Sequence, residues 1–434
     1  NSNTSTGLNF VSLSSNSSFT HAGAAALSIN GSVNIGQPTT SVRNNSWIIN
    51  AGSATVSGLI TFAGANVTTS RIGRITLTTG ILNANGGITF TTSAAATKVI
   101  DMSGGAAVLN LKGALTVPAL SSTLTAGSSG SIVNYLDSDP QTINFFSAGA
   151  YNNLRINNTS AGGASLSGPI TTTNLMGNLF VGDTNTGSLF NTADFDIAMN
   201  NSQGLTIYEG SVINAGTTVI SPATLATITV NGLFKTANPS GFSGSVTAAI
   251  NSANSPAIVL GTASTVEYFA AGGGQSVTPL VYNNLTMSNT SGNQTLTGNV
   301  TVTKTLSLNA GTMSIGANIL TLNGPAIAGT PNSLSGNTTS SLVFGGNSTG
   351  ITIPSNVFAI NNLTINNING VSLNADVGLT TNLLFSAGKL NTGSNKLILN
   401  SGATITGAGQ GTGWVNGNLQ RNFSNTNPGV FEIG

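Results

Sequence analysis

Ten acidic residues, eleven basic ones and a single histidine are all the charge chemistry that 434 residues offer, so each can be weighed in turn. Asp194 and Asp196, in TADFDIAMNN, lie two apart. On a strand that spacing would put both carboxylates on one face, where a pair could hold Ca²⁺ or act as general acid and base on a polysaccharide. A hydrolase would also want sugar-stacking aromatics and a basic residue nearby, and Phe195 would point to the opposite face. The pair therefore reads first as exposed turn or strand-edge residues, with Ca²⁺ binding as the chemical alternative. Asp137 and Asp139, in YLDSDP, read as turn formers ahead of a proline, a Ca²⁺ role again coming second.

The remaining candidates are sparser. His21 is the only histidine and there is no cysteine, so a zinc site lacks ligands and a disulfide or thiolate is excluded. A Ser–His–Asp triad would have to use His21, and no G-x-S-x-G elbow accompanies it. The glycine tract at 271–276 has no following lysine and no helix, which argues against a phosphate cradle. Trp47 and Trp414 read as core or corner packing. No catalytic residue and no cofactor is expected.

The elements that must position these residues are written as repeats. AGTMSIGANILTLNG (310–324) and AGKLNTGSNKLILNSG (387–402) share one grammar of alternating apolar residues and Asn/Gly corners. Larger units start at Ser131, Ser264 and Ser341. Each has an apolar-x-aromatic strand (Val133/Tyr135, Val266/Tyr268, Leu342/Phe344), then a short second strand, then [YI]-N-N-L-x-[IM]. Four segments follow: diverged repeats over 1–130, a module with a long variable tract over 131–263, and modules over 264–340 and 341–434. The period of two in Leu306/Leu308, Leu320/Leu322 and Leu397/Leu399 marks strands with one buried face. Asn-Gly, Ala-Gly and Gly-Gly pairs supply the corners.

Composition narrows the class further. Charged residues make up 5% of the chain, against roughly 25% in a typical soluble domain, and net charge is +1. No basic stripe exists to neutralise phosphates, and no apolar run approaches the roughly 18 residues of a membrane span, so neither nucleic acid nor a membrane span is expected. The start and end of the sequence suggest a processed product or a fragment. The expected fold is all-β, a parallel β-helix (β-solenoid) of degenerate repeats with about 20 residues per coil; tandem β-sandwiches are the alternative. Low aromatic content favours the solenoid, as do Asn309, Asn318, Asn323, Asn395 and Asn400, which recur at corners where amide ladders could run between coils.

The module STVEYFAAGGGQSV…YNNLTMSNTSGNQTLTG resembles repeats of large secreted adhesin-like surface proteins of Bacteroidota, similar to filamentous-haemagglutinin-type β-helices. The likeness runs from about Ser131 to the end. It implies an exported, extracellular or cell-surface protein, made with a signal peptide and often a C-terminal sorting domain. The functional expectation is a non-enzymatic structural protein, either a self-associating fibre subunit or an adhesin stalk. The alternative is a carbohydrate-binding or polysaccharide-degrading β-helix. The expected partner is the chain itself, joined head to tail through residues near Asn1, Phe10, Phe423 and Phe431, with surface glycans as a second partner class. An ice-binding solenoid would show a threonine column at one coil period, and none is visible in the sequence.

Overall fold

A computed structural model describes residues 5–10, 16–36, 43–64, 71–91, 98–118, 122–127 and 130–423. The chain divides into two compact units, one of residues 1–232 with 254–259 and one of residues 233–253 with 260–434. Each is a parallel β-helix. Ladders between described strands are parallel throughout, which removes the tandem-sandwich alternative, since sandwiches are antiparallel.

In the first unit one side is a stack of short strands that includes Ser53–Val56, Ile81–Ala84, Val108–Leu111, Ile132–Tyr135, Asn153–Ile156, Leu179–Val181 and Leu205–Ile207. Alternation sends every second residue inward, and register stacks those residues on one another. Val56, Ala84, Leu111, Tyr135, Ile156, Val181 and Ile207 form one continuous buried column. A second side carries Ile60–Phe62 and Ile88–Phe90, whose phenylalanines Phe62 and Phe90 stack at 4.5 Å and 6°. A third carries Arg43–Ile49, Arg71–Leu77 and Lys98–Asp101. Trp47 is fully buried there, as core packing requires.

The second unit repeats the plan with shorter coils. Leu320 and Leu322 of Ile319–Leu322 pair with Leu342 and Phe344 of Ser341–Phe344, and all four point inward. Leu397 and Leu399 are likewise buried, while Thr321 and Ile398 between the leucines are half-buried on the outer face. Burying each such leucine is worth roughly 1.5–3 kcal/mol. Coil length is not uniform. Side chains that bond across neighbouring coils are 28 (Asn83 to Thr55) and 24 (Asn134 to Asn110) residues apart in the first unit, but 21 (Asn362 to Ser341) and 19 (Thr312 to Asn293) in the second. The expectation of about 20 therefore fits many coils of the second unit and the 132 to 153 coil of the first, but not the longer ones.

The sequence modules correspond to a recurring buried polar cluster. In the first unit Tyr135 and Tyr151 share a hydroxyl contact of 3.0 Å, Gln141 Nε2 donates to the Leu111 carbonyl (3.0 Å), and Asn158 Nδ2 donates to Gln141 Oε1 (3.0 Å). In the second unit Tyr268 and Tyr282 do the same at 3.1 Å, Gln275 donates to the Thr236 carbonyl (3.1 Å), and Asn289 donates to Gln275 Oε1 (3.3 Å). The module at Ser341 replaces the tyrosines with Phe344 and Ile360 and the glutamine with Ile351, all buried. It keeps only the corner amide, Asn367, which donates to the Ser348 carbonyl (2.9 Å). Paired loss of both hydroxyls avoids leaving one of them orphaned in the core.

Candidate functional site

Asp194 and Asp196 lie on an exposed turn before the strand Ile197–Ala198, so they do not form the shared strand face that a two-residue spacing would give. Ala193 and Asp194 both adopt left-handed backbone, with φ of 53° and 60°. Asp194 Oδ1 accepts from the Thr217 amide (2.7 Å) and hydroxyl (3.0 Å), and Asp196 Oδ1 accepts from the Val219 amide (2.9 Å). These oxygens serve as corner clamps onto the next coil. Among the described residues no group of three or more His, Cys, Asp or Glu is arranged to hold a metal.

Asp137 and Asp139 occupy a more developed corner. The connections that leave the first side of the unit lengthen from 112–114 to 136–140, then 157–163 and 182–188, and shorten again at 208–211. They form a shelf that carries Asp137, Asp139, Asp183 and Glu209, four of the 10 acidic residues in the chain. Asp137 Oδ1 accepts from the Ser138 amide (2.7 Å), the turn role read from the sequence. Asp183 is tied down more fully, by the Asn185 and Thr186 amides (2.8 Å each) and Asn157 Nδ2 (2.7 Å). Partial burial raises its pKa, but these bonds and nearby Arg155 outweigh that, and the net shift is downward.

Two concavities flank the shelf. One of ≈ 560 Å³ is lined by Thr116, Val117, Asp137, Asp139, Pro140 and Thr142 among others, and one of ≈ 270 Å³ by Lys112, Asn134, Asp137, Ser138, Asn157 and Thr186 among others. The larger lies where a sheet breaks. Leu115–Thr116 ends one sheet and Gln141–Ile143 begins another, and the gap is crossed by side chains: Gln141 to the Leu111 carbonyl and Asn144 Nδ2 to the Leu115 carbonyl (2.7 Å). Asp137 was visible in the sequence; the shelf was not, because it arises from unequal corner lengths in successive coils.

The other candidates sit apart from this corner. His21 closes the strand Ser17–His21 and its Nε2 bonds the Ala25 carbonyl (2.7 Å). Lys389 Nζ lies 4.2 Å from the ring centroid of Trp414. In the glycine tract the Gly273 carbonyl accepts from Asn289 (2.9 Å) and Gln275 is buried, both structural uses. Lys98, which the sequence reading passed over, is fully buried; it donates to the Thr91 carbonyl and hydroxyl, and burial lowers its pKa to about 8.

Of the residues expected at assembly ends, Asn1 and Phe431 lie outside the described residues. Phe10 is half-buried, 6.2 Å from the Trp47 ring and 6.3 Å from the ring of Phe19, which is exposed. Phe423 is 46% exposed. The two positions fall in different units. No described helix is long and apolar enough to cross a membrane. Compared with known proteins, the chain matches no family profile, no curated sequence and no solved structure.

Proposed function

We propose that the chain is a non-enzymatic structural protein of the cell surface or extracellular space, a self-associating fibre subunit or the stalk of an adhesin. The observation that supports this is where its polar side chains go. Amides, hydroxyls and the Asp194 and Asp196 carboxylates are used between coils: Asn110 to Asn83 (2.8 Å), Asn214 to Asn191 (3.2 Å), Asn416 to Asn391 (2.9 Å), Thr381 to Asn361 (2.5 Å). Such a sequence invests its chemistry in cohesion.

The strands at the outer coils supply the means of association. Ser5–Phe10, Ser17–His21, Thr404–Thr406 and Val415–Arg421 each pair with a strand on one side only among the described residues, and none contains the lysine or proline that usually guards an edge. With net charge +1, subunits repel one another little and salt should alter association little. The test compares intact chain with chain trimmed of residues 1–10 or 423–434, by sedimentation and electron microscopy. Intact chain should form filaments that trimming abolishes. If intact and trimmed chains both sediment as monomers at high concentration, the fibre reading falls. Polysaccharide turnover that disappears in an Asp194→Asn, Asp196→Asn double variant would overturn the non-enzymatic reading.

A further inference from the structure

Asparagine followed by glycine occurs six times in the chain, at residues 30–31, 85–86, 231–232, 323–324, 369–370 and 416–417. Such a pair can react with itself. The glycine amide nitrogen attacks the asparagine side-chain carbonyl, unhindered because glycine has no Cβ. The fold decides where that attack is open. At Asn369 the side chain donates to the Asn347 carbonyl, and the Gly370 amide is held by the Asn367 carbonyl (2.8 Å). At Asn416 the side chain donates to Asn391 (2.9 Å). Asn30 lies inside the strand Ala26–Ile35, which is paired on both edges. Asn231 and Asn323 are half-buried.

Asn85 is the open case. It is exposed, and its side chain makes no hydrogen bond among the described residues. Asn83, two positions earlier, is by contrast tied into the ladder, donating to Thr55 (3.1 Å) and accepting from Asn110 (2.8 Å). The turn over residues 84–87 is closed by the Gly87 amide on the Ala84 carbonyl (3.2 Å), and the Asn85 amide donates to the Val56 carbonyl (2.9 Å). The Gly86 amide, the one that would attack, has no acceptor among the described residues. Around this turn the backbone is tightly stacked. A Cβ on Gly86 would lie 2.4 Å from the Gly58 carbonyl carbon of the preceding coil, and one on Gly113 of the following coil 2.7 Å from the Gly86 carbonyl carbon. The corner joins Ile81–Ala84, whose Ala84 is fully buried, to Ile88–Phe90, whose Phe90 stacks on Phe62.

We propose that Asn85–Gly86 is a self-modification site, where the folded chain deamidates and forms an isoaspartyl linkage that uncouples one coil. Deprotonated by hydroxide, the Gly86 nitrogen bonds to Asn85 Cγ. The Cγ–Nδ2 bond breaks, and the amide nitrogen leaves as ammonia after taking a proton from water. Water then opens the resulting succinimide ring. Addition at Cγ gives an ordinary aspartate, whereas addition at the main-chain carbonyl leaves the chain running through Cβ and Cγ. One water is consumed and one ammonia released, so no oxidant or reductant is needed. Both products gain a negative charge, and the second also inserts a methylene into the main chain of a corner only residues 85–87 long. The stacked glycines leave no slack for that methylene, so the two flanking strands cannot both keep register with the neighbouring coils. This coil is not one of the outer coils invoked for self-association, so the two readings are tested separately.

The intact chain is aged in neutral buffer made with water enriched in oxygen-18, then digested and mapped by mass spectrometry. Methyl transfer by an isoaspartate methyltransferase marks the β-linked product. Asn85 should take up solvent oxygen at least ten-fold faster than Asn369 and Asn416, and in concentrated urea the three rates should converge. The isoaspartyl fraction should exchange amide hydrogens over residues 81–90 at least ten-fold faster than unmodified chain. Asn85→Gln, which would have to close a larger ring, should stay unmodified and exchange like fresh chain. Freshly purified Asn85→Asp, which carries the charge without the extra methylene, should exchange like fresh chain too. Conversion at Asn85 no faster than at Asn369 and Asn416, a ranking that survives unchanged in urea, or an isoaspartyl fraction that exchanges like fresh chain would each overturn the proposal.

Discussion

Replacing Tyr282 with phenylalanine removes one oxygen and orphans two other groups. Each phenol has a single proton. Tyr282 donates its proton to the Thr278 carbonyl (2.8 Å), so the Tyr268 proton goes to the Tyr282 oxygen (3.1 Å), and the Tyr268 oxygen in turn accepts the Thr278 amide (3.1 Å). Tyr282→Phe leaves the Thr278 carbonyl and the Tyr268 O–H unpaired in a fully buried site. At about 1–3 kcal/mol for each unsatisfied buried group, the expected loss is about 2–6 kcal/mol. Tyr268→Phe orphans the Thr278 amide. In the double variant the stranded Tyr268 proton no longer exists, so the double should be less costly than the sum of the singles by about one orphaned group, ~1–3 kcal/mol. Hydrogen exchange measured by mass spectrometry on peptides covering residues 275–287 reads the local opening energy in all four proteins. Additivity within about 0.5 kcal/mol would show that the two hydroxyls do not share a proton, and the reasoning would fail.

Four further outcomes are expected. Burial, and for Tyr151 and Tyr282 also the charge of the facing tyrosine, push these phenols up from their ordinary value, so their contribution is complete below about pH 10 and is lost as pH rises beyond it; urea midpoints should fall at high pH, and less so in a protein with all four tyrosines of the two pairs changed to phenylalanine. Lys98→Met should stabilise the chain at pH 7, because folding disfavours the charged amine. Calorimetry should show that advantage shrinking as pH rises from about 8 towards 10.5, the interval over which the wild-type fold recovers. Leu322→Asp places a charge in an apolar column and should cost more than about 4 kcal/mol in denaturant titration. Asp194→Ala should lose about 1–3 kcal/mol through the Thr217 contacts and the left-handed backbone, while Asp194→Asn, which still accepts at Oδ1 and tolerates that φ, should lose much less; comparison of melting curves decides.

What could be read from the sequence was what has a fixed period. Leu320/Leu322 and Leu397/Leu399 alternate at two residues, a signal independent of coil length, and they are buried as alternation demands. The asparagine ladders were harder to place. Asn318 and Asn395 donate to carbonyls of the preceding coil, Leu296 (2.8 Å) and Leu373 (3.1 Å), and only Asn400, of the corner asparagines singled out, meets another amide, Asn422 at 3.5 Å. An amide-to-amide run across three coils passes through Asn83, Asn110 and Asn134, at offsets of 27 and 24, and unequal coils hide it from any search at fixed spacing. The same effect concealed the threonines. Thr301 and Thr321 are in register, and Thr364 and Thr406 follow in the same outward column, interrupted by Val343 and Leu384. Tyr135 was read as a strand residue and Tyr151 opens the [YI]-N-N-L-x-[IM] motif, but their contact exists only once the coil between them closes. The Asp137 shelf depends on corner lengths compared between coils, which one-dimensional patterning does not carry.

The amides between coils almost all point the same way. Asn110, Asn134, Asn144, Asn158, Asn191, Asn200, Asn214, Asn318, Asn367, Asn395 and Asn416 each donate towards the coil that precedes them, and Asn157 and Asn382 are among the few that donate forward. Within each unit the stack therefore has a direction of growth. A chain that emerges amino terminus first lays down acceptors, and every new coil arrives with the donors that match them. Stopping synthesis partway leaves amide and carbonyl acceptors on the last coil, whereas removing early coils leaves amide donors on the first, and water can serve either. The two exposed ends of such a stack therefore differ in kind, acceptors on the late face and donors on the early face.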